Sequence, residues 1–301
     1  MGTTNKPGRG GLSLRLREQG LPIAVVVLLI IVSWYGLTIL LNAPGAIERD
    51  LADMPWTWKD LVATTMDMKR PVLPAPHQVL LDLWGSLTGW PLHSPRNLLF
   101  HTAVTAQSTL VGFVMGTVLG LVLSVCIVHS RTLDKALLPW IVASQSVPVL
   151  AIAPIVLVIL GSMGLAGVAP KAVIAMYLCF FPVTVAMVAG LRAPQRIETE
   201  LMHTYAASRL QAFWLLRLPS ALPYLFPSLR VAIAAGLVGA MVAELPTGAQ
   251  AGLGARLLTG SYYGNTVGIW SALVLSALLG LVLTFAVAAV ERLVIRRGPT
   301  A

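Results

Sequence analysis

Long apolar blocks separated by short polar ones set the pattern of this 301-residue chain. Mostly apolar runs at 21–41, 99–128, 137–160, 173–191, 221–242 and 267–290 reach or approach the roughly 20 residues needed to cross a bilayer. The pattern predicts an all-α polytopic membrane protein with six transmembrane helices. The first run follows basic LRLRE and precedes small-residue NAPGA, as a signal peptide would. It exceeds the roughly 7–15 apolar residues of a signal h-region, so it reads as an uncleaved span.

Two non-spanning blocks stand out. Residues 42–97 hold Trp56, Trp58, Trp84 and Trp90, which suit a headgroup belt. Within them HQVLLDLWGSL has the pattern of a short amphipathic helix on the outer surface, and a plain loop packed on the span ends reads equally well. The second block, 192–220, contains MHTYAASRLQAFWLLRLPSALP and is long enough for two short helices. Pro194 suits a helix start, and Glu198 and Glu200 put acid where the macrodipole favours it. Leu210, Phe213, Trp214 and Leu216 recur at helical spacing before Pro219, which is expected to end the helix. A helix that is apolar on one side and basic on the other is either a docking element or a connector resting on the membrane.

Composition strengthens the membrane reading. The chain is 56% hydrophobic and 11% charged, with a mean hydropathy of +0.80, whereas soluble domains carry about 25% charged residues. The net charge of +9 is spread through segments between apolar runs. It therefore sets topology and does not mark a nucleic-acid face. Placing the N-terminus inside puts most Lys and Arg inside, which predicts cytoplasmic N- and C-termini in the inner membrane. Cys126 and Cys179 lie far apart within apolar runs and read as inert. The five histidines show no metal-ligand spacing, so no metal site is assigned.

The chain carries no G-x-x-x-x-G-K-[ST], and GLGARLLTGS lacks the Lys. No catalytic set occurs within the spans either, so the chain is expected to be no enzyme. What the spans do contain are prolines, which free backbone carbonyls that only a cavity or protein can satisfy. Pro148, Pro154 and Pro182 are therefore candidate pathway residues, and Pro223 and Pro227 open the fifth span. Gly112, Gly116 and Gly120 form a packing stripe. Arg230 is a costly intramembrane charge, suited to an anionic solute or to helix-end carbonyls. Glu244, 14 residues on and about 21 Å away, is expected to cap the following PTGAQAGLG turn and not to pair with Arg230. Residues 246–263, with Gly252 and Gly254, are expected to dip into the membrane and line an external gate.

Glu200, a small residue six positions on at Ala206, and Leu216-Arg217-Leu218-Pro219 resemble the EAA loop of binding-protein-dependent ABC transporter permeases, E-A-A-x3-G-x9-I-x-L-P. ELM stands where EAA is usual, and Ala206 where Gly is usual. QSVPVLAIAPIVLVILG, FFPVTVAMVAGLR, LPSALPYLFPSLRVAIAAGL and AELPTGAQAGLGARL resemble the nitrate, sulfonate and taurine branch. The likeness covers about 71–296, with 42–70 as an insertion. It implies a type I ABC importer permease fold, with a tail at 1–20, a span at 21–41, an extracytoplasmic segment at 42–97, a core at 98–292 and a tail at 293–301.

The implied partners are two ATP-binding cassette ATPase subunits, a second permease copy, an extracytoplasmic solute-binding protein and membrane lipid. ATP and Mg would be bound by the ATPase and no cofactor by this chain. Coupling residues carried over are Glu200, Ala206, Ala207, Ser208, Arg209, Leu210 and Phe213. Since a positive φ costs a non-Gly residue roughly 1–2 kcal/mol, the Ala206 corner is expected to use ordinary helical dihedrals. A secondary transporter of a small anion is the alternative. It would need ion-coupling carboxylates or His inside the spans, and the spans contain no internal acid.

Overall fold

A computed structural model describes residues 11–53, 55–246 and 251–295, with helix as the recurring element. They divide into two compact units. One contains the chain up to Trp84 together with Tyr263–Ser271, and the other contains Gly85–Tyr262 and the chain from Ala272.

In the first unit, α1 (Gly11–Arg49) is apolar around most of its circumference, and Leu21, Ile23, Leu28 and Leu29 lie exposed along it. Such a surface is suited to lipid. The helix runs past NAPGA to Arg49, further than the apolar run alone indicates. Asn42 makes this possible by tying α1 to neighbouring chain instead of ending it. Its buried amide donates to the carbonyls of Leu73 at 2.9 Å and Thr65 at 3.4 Å, and its oxygen accepts from the amides of Val72 at 2.8 Å and Leu73 at 3.2 Å. The hydrogen-bonding capacity of the side chain is filled. Helices α2 (Trp58–Met66) and α3 (Pro76–Thr88) follow. The second is the short amphipathic helix that the sequence allows. Its Val79 and Leu83 are buried, and Leu80 and Leu81 are exposed.

The second unit is built on α4 (Leu98–His129), α7 (Val168–Leu191) and α10 (Leu218–Ala243). The glycine stripe of α4 lies directly on α7. A Cβ at Gly112 would sit 2.4 Å from Ala175 Cβ, and one at Gly116 would sit 2.5 Å from Cys179 Cβ. From α10, Gly239 approaches Ala175 comparably, so α7 is packed closely on two sides. In a membrane, close backbone approach of this kind replaces the hydrophobic effect as the source of packing.

Among the described residues, five helices are long and apolar enough to cross a membrane: α1, α4, α7, the continuous helix from Arg209 to Ala243, and α12 (Thr266–Ile295). The expected third span is instead a bent pair, α5 (Arg131–Ser144) and α6 (Val149–Ser162), whose axes turn by 102°. Pro148 caps α6. A proline disfavours helical geometry in the residue before it, so the break falls at 145–148 although the apolar run continues. Tyr177 of α7 donates its hydroxyl to the Ser144 carbonyl at the end of α5, supplying a partner for a carbonyl that the broken helix leaves open.

Candidate functional site

At one end of the second unit the chain leaves α7 and builds a corner. Arg192 pairs with Asp134 of α5 at 2.9 Å. Then α8 (Arg196–Thr204) starts with the Gln195 amide donating to Glu198 at 2.7 Å. It ends in a Schellman motif, in which the Ala206 amide bonds the His203 carbonyl at 2.9 Å and the Ala207 amide bonds Met202 at 3.0 Å. Ala206 has φ of +50°, which corrects the expectation of ordinary helical dihedrals. Two carbonyls at the helix end gain partners only if this residue turns left-handed, and those bonds offset the cost of its Cβ.

Ser208 then caps α9 (Arg209–Ala212), accepting from the Gln211 amide at 3.3 Å while its own amide donates to Gln211 at 2.8 Å. A single π turn, Phe213–Arg217, leads without interruption into α10. Pro219 therefore does not end the helix. The wider turn and the position of Pro219 at the start of α10 accommodate its missing N–H.

Glu200 is half engaged, bonding Arg196 at 2.8 Å. Leu210 is 67% exposed and Tyr205 78%, with Ile197 and Leu201 also outward. Arg209 and Ala207 line a cleft of about 370 Å³ with Val128, His129, Met202 and His203. Phe213 points inward, packing on His129 at 5.4 Å between ring centres and against the cluster of Met187, Leu191 and Ala221.

The opposite end holds a second polar assembly, in which the sequence singles out Glu244, Gly252 and Gly254 but not Lys171, Thr105 or His101. Glu244, at the C-terminus of α10, is completely buried. Lys171 of α7 lies 3.5 Å from its carboxylate and donates to the Ala251 carbonyl at 2.6 Å. Thr105 donates to Glu244 at 2.9 Å and accepts from the Leu253 amide at 2.9 Å. The Gly254 amide donates to the same carboxylate at 2.9 Å. His101 Nδ1 accepts from the Gly252 amide at 3.0 Å, so its hydrogen lies on Nε2, which donates to Pro95 at 2.8 Å. Glu244 thus holds the start of α11 (Leu253–Tyr263), and Gly252, at φ +128°, passes against it.

Lys171, counted as a loop residue by hydropathy, belongs to the first turn of α7. The available signal was that a lone acid at the end of an apolar span requires a cation at the same depth. Thr247 and Gly248 of the expected gate lie outside the described residues, and the remainder of that stretch is mostly the helix α11.

Arg230 bonds Glu291 of α12 and is not brought to Gly252 or Gly254. Pro154 lines a cavity beside Lys171. Pro148 lies at the α5–α6 break and Pro182 within α7.

Residues 112–297 match the family of binding-protein-dependent transport system inner membrane components. The chain is 31% identical to a probable ABC transporter permease protein of Haemophilus influenzae, over 75% of this chain and 87% of that one. It is 32% identical to the formylaminopyrimidine transport permease protein ThiX of Halalkalibacterium halodurans, over 70% and 79%. It is 26% identical to the taurine transport system permease protein TauC of Escherichia coli, over 79% and 82%.

Proposed function

Because the chain belongs to the binding-protein-dependent transport system inner membrane components, we propose that it forms the translocation pathway of an ABC importer for a small solute and takes its energy from a separate ATPase docked on α8 and α9. The observation that carries the docking is the corner itself. Two capped short helices present Ile197, Leu201, Tyr205 and Leu210 outward, and none of these side chains is buried by the described residues of their own unit. The corner is also joined to α10 by continuous helix, so a push on Leu210 reaches the membrane without crossing a loop.

In this reading ATP and Mg sit on the ATPase, a second copy of this chain completes the pathway, and an extracytoplasmic protein delivers the solute. Both termini face the cytoplasm, as α8 does. Arg230 does not offer a free charge to an anion, since Glu291 neutralises it.

The test is co-purification of the ATPase encoded with this chain. Leu210→Asp and Ala207→Asp should each release it or leave ATP hydrolysis uncoupled from uptake. Intact complexes with normal uptake in both variants would refute the docking assignment.

A further inference from the structure

A cavity of about 710 Å³ opens between α4, α6 and the start of α7, walled by Val104, Gln107, Pro154, Leu157, Lys171 and Ala251 among others. Its volume falls within the roughly 300–1,000 Å³ of small-molecule sites. It lies toward the end of α4 remote from the corner, since Gln107 and His129 are 22 residues and about 33 Å apart along that helix.

Two features of the wall define what it can hold. Lys171 is its only charged residue among those described, and that charge is answered by the buried Glu244 at 3.5 Å. An anion entering here would lose its water and find no unpaired cation, a cost that apolar walls do not repay. A neutral molecule escapes that cost. Hydrogen-bonding capacity nevertheless remains. The ammonium has three N–H groups and, among the described residues, two acceptors, Glu244 and the Ala251 carbonyl. Gln107, exposed within the membrane-crossing part of α4, bonds no described residue. An amide in that position is expensive against lipid and useful against a polar ligand.

We propose, on the basis of the permease assignment, that this cavity is a solute site for small uncharged molecules bearing hydrogen-bond acceptors, with a pyrimidine base as the probe, and that it rejects free anions such as nitrate and sulfonates. The acceptor meets Lys171 and Gln107, and the ring lies against Leu157 and Pro154.

The permease with its ATPase, in lipid nanodiscs, carries Leu157→Cys, and alkylation of that peptide is followed by mass spectrometry with millimolar cytosine, ethanesulfonate or nitrate. Cytosine should slow labelling at least threefold and the two anions should not. Gln107→Leu should remove the protection, and Leu157→Trp should remove cytosine binding measured by equilibrium dialysis. The inference is overturned by protection from ethanesulfonate or nitrate equal to that from cytosine, by no protection from cytosine, or by protection that survives Gln107→Leu. It is also overturned if the site is already closed to the reagent by lipid and opens on delipidation. ATPase retention is scored on the same samples. Its loss counts against the permease assignment, whereas a full complex without protection counts only against the cavity.

Discussion

Thr105 stands between Glu244 and Leu253, giving its hydroxyl hydrogen to the carboxylate and taking the Leu253 amide on the same oxygen, each at 2.9 Å. One small side chain on α4 thereby fixes the end of α10 to the start of α11. Lys171 adds the charge that makes a buried carboxylate tolerable.

Removing one member of that ion pair is expected to cost more than removing both. Lys171→Met leaves Glu244 buried without its cation, and breaking a buried pair on one side costs about 3–5 kcal/mol. Glu244→Gln should be similarly harmful, because an ammonium is left uncompensated. The double variant should lose less than either single variant. Thermal unfolding of the purified protein in one detergent measures all three, and simple additivity would show that the two side chains are not coupled.

Gly252→Ala is expected to abolish folding of this end of the bundle. Its Cβ would lie 2.0 Å from the Glu244 carboxyl carbon, at a φ of +128° that side chains rarely adopt. Both problems are backbone-deep, since Glu244 is held by bonds on several sides and cannot retreat. Gly36→Ala, where a Cβ meets nothing within 4 Å, should be neutral. Folded yield by fluorescence-detected size exclusion compares the two, and equal yields would contradict the prediction.

At the start of α2, Asp60 accepts from the Thr57 amide at 2.8 Å and from the Thr57 hydroxyl at 2.7 Å. The hydroxyl bond first and the amide bond second hold its carboxyl below the ordinary 3.8. A depressed carboxylate contributes its cap above that ordinary value and loses it as the pH falls through the lower folded one. Protection of the first α2 amides, corrected for intrinsic exchange, should therefore be flat from neutral pH down to about 4 and fall in more acidic buffer. Asp60→Asn should weaken it at every pH, and a wild-type profile that stays flat in strong acid would argue against the cap.

Five of the six apolar runs map onto α1, α4, α7, α10 and α12, because lipid imposes length and polarity on each helix independently. Breaks and partners are less visible. Pro148 marks the turn between α5 and α6, yet apolar residues on both sides continue the run and conceal it. Pro219 signals a helix end in a straight α-helix and loses that meaning inside a π turn. The Glu244 assembly draws on α4, α7, α10 and the start of α11, so no spacing along the chain reveals it. Glu244 is visible as a lone acid, whereas Lys171, Thr105 and His101 become its neighbours only when α4 and α7 pack.

Ala206→Gly should tighten the corner between α8 and α9. At φ +50° the Ala206 side chain costs roughly 1–2 kcal/mol. Glycine removes that cost but loses roughly 0.5–1 kcal/mol more backbone entropy on folding, so a net gain of about 0.5–1 kcal/mol is expected. The gain should appear where the Schellman bonds are, at the amides of Ala207 and residue 206, as about two- to fivefold slower hydrogen exchange when local opening limits it. Ala206→Val, β-branched in the same left-handed conformation, should accelerate exchange at Ala207 and weaken ATPase retention. Because α8 and α9 meet the α10 helix through this corner, the glycine variant should also retain its ATPase through harsher washing than the parent. Exchange at Ala207 that is unchanged or faster in Ala206→Gly would mean that the left-handed turn carries no strain, and that the corner is held by Ser208 and Gln211 instead.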